Sequence, residues 1–448
     1  MTERKLRFDS LLLPTGWAKD VCLTIDAAGV ISGVEKDSKA GEPISGIAVP
    51  GMANLHSHTH QRLMQGLAER AGLGPDSFWT WREVMYGFAL KLSPEDLEAV
   101  AAQAFMEMLC AGFTSVGEFQ YLHHQPDGTA YENRAELSLR CVAAASSTGI
   151  GLTMLPVYYA HGGFGGQAPT QGQRRFINSV EGFIEIHSEL AKTGCTLGIA
   201  PHSLRAVTKV GLNEVLSATP SGQPIHIHVA EQLQEVADCL IWANKRPVQY
   251  LLDSFPVDKN WCAIHATHLV ADEVTGLAKS AAVAGLCPTT EANLGDGVFP
   301  ARSFLDAGGS FGIGTDSHVS VSVAEDLRML EYSQRLSHHK RNALADGPGE
   351  STGRSLFNRA LKGGAQALQQ NSGAIEIGRR ADIVVLDSEH ASMLGRQKDQ
   401  ALDAWIFSAG NAAVRDVYVG GRCLVEQGRH INHDAIIQKF KAAQRRLA

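Results

Sequence analysis

Two hydrophobic periodicities alternate along the 448-residue chain, and each predicts a different kind of element. Up to about residue 48, short apolar runs are separated by turn residues, a pattern typical of a small antiparallel sheet. From about residue 49 to 370, apolar runs of five to eight residues are followed repeatedly by stretches with helical periodicity, which indicates parallel βα units. After about residue 371 strand patterns return, and an amphipathic helix is predicted over about 434–447.

Eight of the apolar runs qualify as parallel strands, and eight such strands with intervening helices predict a closed (β/α)8 TIM barrel of the α/β class. The barrel is assigned to residues 49–370. The flanking segments, 1–48 and 371–448, are expected to pair into one small β-sandwich domain beside it, followed by the terminal helix. The predicted barrel strands are 47–55, 114–119, 151–157, 196–200, 224–229, 261–265, 284–287 and 310–314.

The residues around Ser93 predict where the first regular barrel helix begins. Ser93 is followed by Pro94 at the first helical position and by Asp96 at the third, which is an N-cap pattern. An apolar stripe with helical spacing follows, and Gly112 is expected to close the helix.

Composition and charge exclude several functional classes. With 44% hydrophobic and 19% charged residues the chain is globular rather than disordered. The net charge of −7 offers no basic surface for nucleic acid. The eight cysteines include no Cys-x-x-Cys pair, so we expect free thiols in a reducing compartment. Since the N-terminus lacks a signal peptide and no apolar run reaches about 18 residues, a cytoplasmic protein without a membrane partner is predicted.

The first predicted barrel strand ends in a His-x-His pair. Side chains alternate along a strand, so His56 and His58 lie on one face, roughly 6.5 Å apart at the backbone. At that separation both imidazoles can bind one metal ion. The pair alone is weak evidence for a metal, because buried histidines often form only ordinary hydrogen bonds.

Other predicted strands end in residues with the same chemistry. The carboxyl ends of barrel strands converge on one mouth, where the catalytic residues of TIM-barrel enzymes lie. Because five strand ends carrying histidine or aspartate are improbable by chance, a metal-dependent site is predicted at this mouth. Beyond the first pair, the strand ends supply His202 and Arg205 after strand 4, His226, His228 and Glu231 on strand 5, His265 on strand 6, and Asp316 and His318 after strand 8.

These motifs resemble the amidohydrolase superfamily, and the resemblance covers nearly the whole chain. Two-metal members of that superfamily typically carry a carbamylated lysine at the end of strand 4. The corresponding residues, 196–205, include no lysine, which points to the one-metal deaminase branch. The resemblance rests on Pro50-Gly-Met-Ala-Asn-Leu-His56-Ser-His58, His228-x-x-Glu231, His265, Gly314-Thr-Asp316-Ser and the strand pattern of 381–387.

The resemblance implies a hydrolase that acts on carbon–nitrogen bonds, with one Zn²⁺ per subunit of a homodimer. Iron suits the same ligands. The metal would bind the attacking water, whose proton Asp316 would accept. Glu231 would pass that proton to the leaving nitrogen, and His265 would orient the attacking oxygen. The implied metal ligands are His56, His58, His228 and Asp316.

Within the family, the segments at the barrel mouth resemble those of members that hydrolyse N-formimino-L-glutamate, a linear amidine of histidine breakdown, to N-formyl-L-glutamate and ammonia. Such a dicarboxylate needs cationic anchors, and an arginine just past strand 4 suits a carboxylate. By position alone, Arg205 also fits a surface arginine at a helix start. The implied contacts to this small-molecule substrate are Gln61, Tyr121, His202 and Arg205, with Arg82 as a weaker candidate.

Two other functions remain open on the sequence. A deaminase of a purine, pyrimidine or triazine ring would use the same metal and acid–base residues. Trp79 and Trp81, in an expected loop after strand 1, would then either contact the ring or only pack. A catalytically inactive scaffold is disfavoured, since such relatives are expected to lack metal ligands. The glycine-rich residues 161–166 are expected to form a lip at the mouth, either a lid or a plain loop.

The remaining histidines are expected to lie outside the chemistry. His226 shares the strand face of His228, but the His-x-x-Glu spacing selects His228. His268 is assigned to a loop or a helix start, and a role for His318 in the layer around the metal is left open. The histidines interpreted as solvated loop residues are His123, His124, His338 and His339.

Overall fold

The computed structural model describes residues 2–71 and 78–447. Within these ranges, helices and short parallel strands alternate through the middle of the chain, and longer strands lie at both ends. The strands are β1 (Arg4–Leu13), β2 (Gly16–Ile25), β3 (Ile31–Glu35), β4 (Glu42–Pro50), β5 (Met52–Ser57), β6 (Phe113–Gln120), β7 (Gly151–Tyr158), β8 (Thr196–Leu197), β9 (Ala200–Pro201), β10 (Ile225–Val229), β11 (Trp261–His265), β12 (Val283–Leu286), β13 (Ser310–Ile313), β14 (Ile383–Leu386), β15 (Val414–Val419), β16 (Arg422–Glu426) and β17 (Arg429–His430).

The helices fill the connections between the barrel strands and also end the chain. Short 3-10 helices lie at Thr59–Met64, Gln171–Gln173 and Gly410–Ala413, and a π-helical turn lies at Trp405–Ala409. The α-helices are α1 (Phe78–Ala89), α2 (Pro94–Cys110), α3 (Glu136–Thr148), α4 (Val180–Ala191), α5 (Lys209–Ala218), α6 (Leu233–Ala243), α7 (Pro247–Ser254), α8 (Ala271–Lys279), α9 (Pro288–Leu294), α10 (Ala301–Asp306), α11 (Val323–His338), α12 (Thr352–Leu368), α13 (Asp399–Ala404) and α14 (His433–Leu447).

The predicted barrel is confirmed. Strands β5, β6, β7 and β8 form one parallel run, and β10 to β13 form another. Parallel bridges close the two gaps between these runs, one between Ile199 and Ile225 and one between Ser57 and Asp316. The second bridge places the ends of the first and last barrel strands side by side, at the mouth where the site was expected.

Two of the predicted barrel strands are divided in the structure. The run 47–55 is split at Gly51: β4 belongs to the terminal sheet, and the barrel strand β5 begins at Met52. A Cβ at Gly51 would lie only 2.2 Å from Thr114 Cγ2, so the crossing from sheet to barrel requires glycine there. Strand 4 consists of β8 and β9, two short pieces rather than one continuous strand at 196–200.

Strands from both chain termini build one domain beside the barrel, as predicted, but they pair into a single continuous sheet, whereas a β-sandwich was expected. The order of the sheet is β17-β16-β15-β14-β4-β1-β2-β3. β4 lies at the join, parallel to β1 and antiparallel to β14. A hydrophobic cluster containing Leu6, Phe8 and Ile383 covers this sheet. The domain boundaries at residues 48 and 370 stay predictions.

The N-cap predicted for the first regular barrel helix is confirmed at α2. The Ser93 hydroxyl accepts a hydrogen bond from the Asp96 backbone N–H at 3.1 Å, and the Asp96 carboxylate accepts one from the Ser93 N–H. Gly112 follows the helix with φ +94°, a left-handed conformation that favours glycine. The predicted terminal helix is α14, which begins at His433.

The interpretation of the residues after strand 1 as a tryptophan-rich loop is wrong, because Phe78–Ala89 form helix α1. Aromatic residues have low helix propensity, which hid the element. Tertiary packing compensates: Trp81, Met85 and Ala89, spaced four residues apart, pack in or against the main hydrophobic core. The side chain of Trp79 lies outside the described part of the structure.

The cysteines and the helices agree with the compositional predictions. All eight cysteines carry free thiols, and five of them are buried. Across residues 2–71 and 78–447, no helix combines the length and the apolar character needed to span a bilayer.

Candidate active site

The structure brings the four predicted metal ligands together at the mouth of the barrel. His56 and His58 come from the end of β5, and His228 comes from β10. Their ligand nitrogens all lie within 4.8 Å of one another. Asp316, which follows β13, places Oδ1 at 3.6 Å from His56 Nε2 and at 3.4 Å from His58 Nε2.

The backbone explains why Asp316 reaches the histidines. Its N–H donates to the His56 carbonyl at 3.0 Å, and its carbonyl accepts from the His58 N–H at 3.1 Å. Asp316 adopts φ +46°, a left-handed conformation that a non-glycine residue holds only when its surroundings enforce it. The two ligand-bearing strand ends are therefore fixed against each other by main-chain hydrogen bonds.

The protonation states of the histidines suit a cation. Burial lowers the pKa of His58 to about 3 and lowers the pKa of His56 and His228 well below the usual value, so all three rings are neutral. Neutral His58 and His228 use Nδ1–H to donate to the carbonyls of Phe119 and His202, at 2.9 Å and 2.8 Å. Their Nε2 atoms therefore direct lone pairs into the site, as metal-binding histidines do.

A second group of titratable residues lies beside the metal ligands. His265 Nε2 is 3.8 Å from Glu231 Oε1 and 3.8 Å from Asp316 Oδ2. Its Nδ1–H donates to Glu291 Oε1 at 3.2 Å. Burial alone would lower the pKa of His265, but the carboxylates of Glu231, Glu291 and Asp316 raise it to about 10. His265 is therefore an imidazolium at neutral pH.

The pKa of the Asp316 carboxyl is higher than that of an ordinary aspartate. Burial is the largest cause and raises the pKa of its carboxyl to about 7, against the opposing effect of His265 and with the help of Glu231 and Glu291. A carboxylate with this pKa can accept and release a proton near neutral pH.

The predicted substrate contacts line the same cavity as three of the four predicted metal ligands, His58, His228 and Asp316. Its volume is about 410 Å³. Arg205 is not a surface residue: its side chain is 14% exposed and its Nη2 lies 3.9 Å from Glu231 Oε2. The Gln61 side-chain amide donates to the Tyr121 hydroxyl at 2.9 Å. The cavity lining includes His58, Gln61, Arg82, Tyr121, His202, Arg205, His228, Glu231, His265 and Asp316.

Comparison with known proteins identifies the family. The amidohydrolase family model matches residues 47–424, which include every strand of the barrel. The chain belongs to the amidohydrolase family. A formimidoylglutamate deiminase from Pseudomonas aeruginosa is 51% identical over 435 residues, 96% of either chain. A 5-methylthioadenosine/S-adenosylhomocysteine deaminase from Natronomonas pharaonis is 26% identical over 384 residues, covering 85% of this chain and 81% of the relative.

Solved structures agree with this amidohydrolase assignment. An amidohydrolase from Brucella melitensis is 50% identical and superposes with a TM-score of 0.93 over 99% of both chains. An adenosine deaminase from Xanthomonas campestris, solved with bound zinc, is 21% identical and superposes with a TM-score of 0.81 over 100% of this chain and 98% of its own. The second likeness shows the shared fold alone.

The remaining predictions about the mouth of the amidohydrolase barrel have mixed outcomes. Gly162, Gly163 and Phe164 of the glycine-rich run line the cavity, so the lip lies where it was expected. Phe164 stacks on Trp242 with ring centroids 5.2 Å apart. Closure of this lip as a lid stays a prediction.

The interpretation of His123 and His124 as solvated residues is wrong, because both are buried. The N–H groups of both backbones donate to the Arg175 carbonyl, and their rings donate to the carbonyls of Val157 and Ile177. His226 is not part of the site: its Nε2–H donates to the Ala367 carbonyl at 2.8 Å. His338 and His339 are exposed, as predicted, but His338 is the last residue of helix α11 and not a loop residue.

Three buried glutamates support the site, and sequence reasoning assigned a role to none of them. Glu291 accepts from His265, as described above. Glu235 accepts from the backbone N–H groups of Ala230 and Glu231 and so holds the turn after β10. Burial raises the pKa of Glu118 to about 7, against hydrogen bonds from Ser57 and Thr59 that lower it. A signal for Glu118 was available, since it interrupts the otherwise uncharged strand β6.

Proposed function

We propose that this chain is a formimidoylglutamate deiminase, which hydrolyses N-formimino-L-glutamate to N-formyl-L-glutamate and ammonia. The observation that carries the proposal is the single cavity that joins the candidate metal ligands to Arg82 and Arg205. Two guanidinium groups suit a dicarboxylate, whereas a neutral nucleobase offers them no partner. The 51% identity to a formimidoylglutamate deiminase, against 26% to a nucleoside deaminase, supports the same substrate.

The proposed cofactor is one Zn²⁺ per chain, and iron suits the same donors. His56, His58, His228 and Asp316 would hold it, since three neutral imidazoles and a carboxylate converge there. When bound, such a metal lowers the pKa of water to near 7 and so supplies a nucleophile at neutral pH.

The chain's own residues would move the protons. Water adds to the formimino carbon, and Asp316, whose pKa is raised to about 7, accepts one of its two protons. Glu231, which lies 3.8 Å from His265, relays this proton to the imino nitrogen, and the second proton of the water follows as the carbonyl forms. The bond from carbon to the imino nitrogen then breaks, and ammonia leaves. The imidazolium of His265 donates a hydrogen bond to the oxygen that becomes the formyl carbonyl.

We further propose that the enzyme acts in the cytoplasm as a homodimer, with a small-molecule substrate and without nucleic acid or membrane partners. The free thiols suit a reducing compartment. The exposed apolar side chains of Leu233 and Ile241 on helix α6 are compatible with contact to a second copy.

The direct test of the proposed function is ammonia release under one assay. N-formimino-L-glutamate is compared with guanine, adenosine and cytosine at equal concentrations of metal-loaded enzyme. We expect turnover of N-formimino-L-glutamate and none of the other three compounds above background. Release of ammonia from guanine, adenosine or cytosine, with N-formimino-L-glutamate inert, would replace this proposal with the ring-deaminase alternative.

Substitution Arg205→Ala tests which part of the substrate the cavity recognises. We expect the variant to lose about 2–5 kcal/mol of transition-state binding with N-formimino-L-glutamate, because a buried charge pair to the substrate is removed. The measurement is kcat/KM for this substrate and for N-formimino-L-glutamine, whose side chain is neutral. The wild type should prefer the dicarboxylate, and the variant should not.

Arg205→Lys is the matched control, because it keeps a positive charge beside Glu231. Lysine cannot form the bidentate contact of arginine, so its loss of kcat/KM should be smaller than that of Arg205→Ala but still measurable. If Arg205→Ala lowers kcat/KM equally for both substrates, Arg205 does not bind the side-chain carboxylate, and it acts on the α-carboxylate that both substrates share or on Glu231.

A further inference from the structure

A chain of buried polar side chains runs behind the candidate metal ligands, on the far side from the cavity. It starts at Glu118 on β6, whose Oε2 accepts from the Ser57 hydroxyl at 2.5 Å. Ser57 Oγ in turn lies 3.1 Å from His318 Nε2. His318 Nδ1 lies 2.9 Å from the Thr315 hydroxyl, and that hydroxyl accepts from the Asn54 side-chain amide at 2.7 Å. All five residues are buried.

Both ends of this chain are also anchored to the main chain. The Glu118 Oε1 atom accepts from the backbone N–H of Thr59 at 2.9 Å and from its hydroxyl at 2.7 Å. At the other end, Asn54 Oδ1 accepts from the Thr315 backbone N–H at 3.0 Å. The chain therefore connects the first, second and last barrel strands through side chains and main chain together.

The position of Ser57 couples this chain to the metal ligands. Ser57 lies between His56 and His58, and side chains alternate along a strand, so Ser57 points away from the face that both histidines share. A rotation of the strand end that breaks the bond from Ser57 to Glu118 would also turn both imidazoles. On the opposite turn, Thr315 directly precedes Asp316, and His318 follows it by two residues.

We infer that Glu118 is a positioning residue for the metal centre, because through Ser57 and His318 it fixes the two turns that carry three of the four proposed ligands. The inference rests on the ligand set of the proposed function. The side chain of Glu118 is hydrogen-bonded to Ser57 and Thr59, which are neither proposed ligands nor residues of the cavity lining, so it acts on affinity for the metal rather than on substrate binding.

Glutamine cannot replace Glu118 in this role. If the new amide nitrogen faces Thr59, it meets a backbone N–H, and two donors oppose each other. If it faces Ser57, it donates to the hydroxyl that previously donated to Glu118, so the serine proton must turn to His318 Nε2 and the His318 ring must change tautomer. The Thr315 hydroxyl then receives a proton from His318 Nδ1 and no longer has that nitrogen as its acceptor. Either orientation therefore opposes two donors or reverses the donors along the chain, while the volume of the side chain is kept.

The experiment compares Glu118→Gln with the wild type as full-length, metal-loaded proteins at pH 8, above the pKa of about 7 of this carboxyl. Metal transfer to a chromogenic chelator gives the release rate, and Co²⁺ loading gives a visible spectrum that reports the ligand geometry. We expect metal affinity to fall by about 10- to 100-fold, with faster release and a changed Co²⁺ spectrum. With N-formimino-L-glutamate, kcat should fall while KM holds.

Glu331→Gln is the matched control. Glu331 is also fully buried and also accepts from three donors, Arg335 and the backbone N–H groups of Ala343 and Leu344, but it takes no part in the site. It should lower the free energy of unfolding and leave metal release and the Co²⁺ spectrum at wild-type values. A folded Glu118→Gln variant that matches this control in release and spectrum overturns the inference.

Ser57→Ala keeps the test decisive if Glu118→Gln does not fold. It removes the link between Glu118 and His318 while the bonds from Glu118 to Thr59 remain. Faster metal release supports the inference, and a wild-type rate overturns it. Metal release needs no substrate, so a wild-type enzyme that is inert toward N-formimino-L-glutamate would refute the proposed function without deciding this inference.

Discussion

Replacing Glu231 with glutamine is expected to lower kcat by about 10²- to 10⁴-fold while the protein still binds its metal. Glutamine keeps the size and hydrogen-bonding oxygen of the side chain but cannot carry a proton to the leaving nitrogen. Glu231 lies 3.8 Å from His265 and 3.9 Å from Arg205. Because glutamine has the same size as glutamate, we expect the packing of these two neighbours to stay unchanged. The measurement is single-turnover ammonia release, with metal content determined on the same sample.

The control for this variant is its metal content, measured beside its activity. A Glu231→Gln protein with wild-type metal content and little turnover supports a proton-transfer role. Full activity with bound metal would remove Glu231 from the mechanism. Loss of metal together with activity would instead make Glu231 part of the binding site for the ion, contrary to the proposed ligand set.

Removal of the metal is expected to reduce activity to background, and one equivalent of Zn²⁺ should restore it. Metal analysis of the loaded enzyme should find about one divalent ion per chain. Because the ion binds only the folded state, its removal should also lower the melting temperature. Two tightly bound ions per chain would contradict the one-metal assignment.

His228 and His226, two residues apart on β10, offer a matched pair of variants. His228→Asn should lose the ion, since its Nε2 faces His56 Nε2 at 3.0 Å. His226→Asn should keep the ion, because His226 is hydrogen-bonded to the Ala367 carbonyl and is not among the proposed ligands. Equal metal loss in both variants would indicate a general effect of disturbing the strand.

Much of the site was predictable because the positions of its side chains follow from their spacing along single strands. A His-x-His spacing on a strand places two imidazoles on one face whatever the rest of the fold does. Barrel topology then carries Asp316, more than two hundred residues away in the sequence, to the same mouth. The fold class was predictable for a related reason, since repeated βα periodicity is visible without any knowledge of long-range contacts.

The environments of the residues that were missed depend on contacts with residues that are not their neighbours in the sequence. Glu291 acts on the far nitrogen of His265 from helix α9, and nothing in its local sequence indicates that contact. His123 and His124 are buried only because the chain around Arg175 folds over them. The helix at Phe78–Ala89 was missed because its propensity is poor and packing alone stabilises it.

The crossing at Gly51 has a consequence for how the chain is made. β4, which leads directly into the strand bearing the first two imidazoles, is flanked by β1, which is synthesised before it, and by β14, which is synthesised after the whole barrel. While the ribosome is still translating the barrel, one edge of β4 has no partner, and Asp316 is not yet beside the strand that follows it. Nascent chains should therefore stay inactive and exposed to strand-edge association until β14 has left the ribosome.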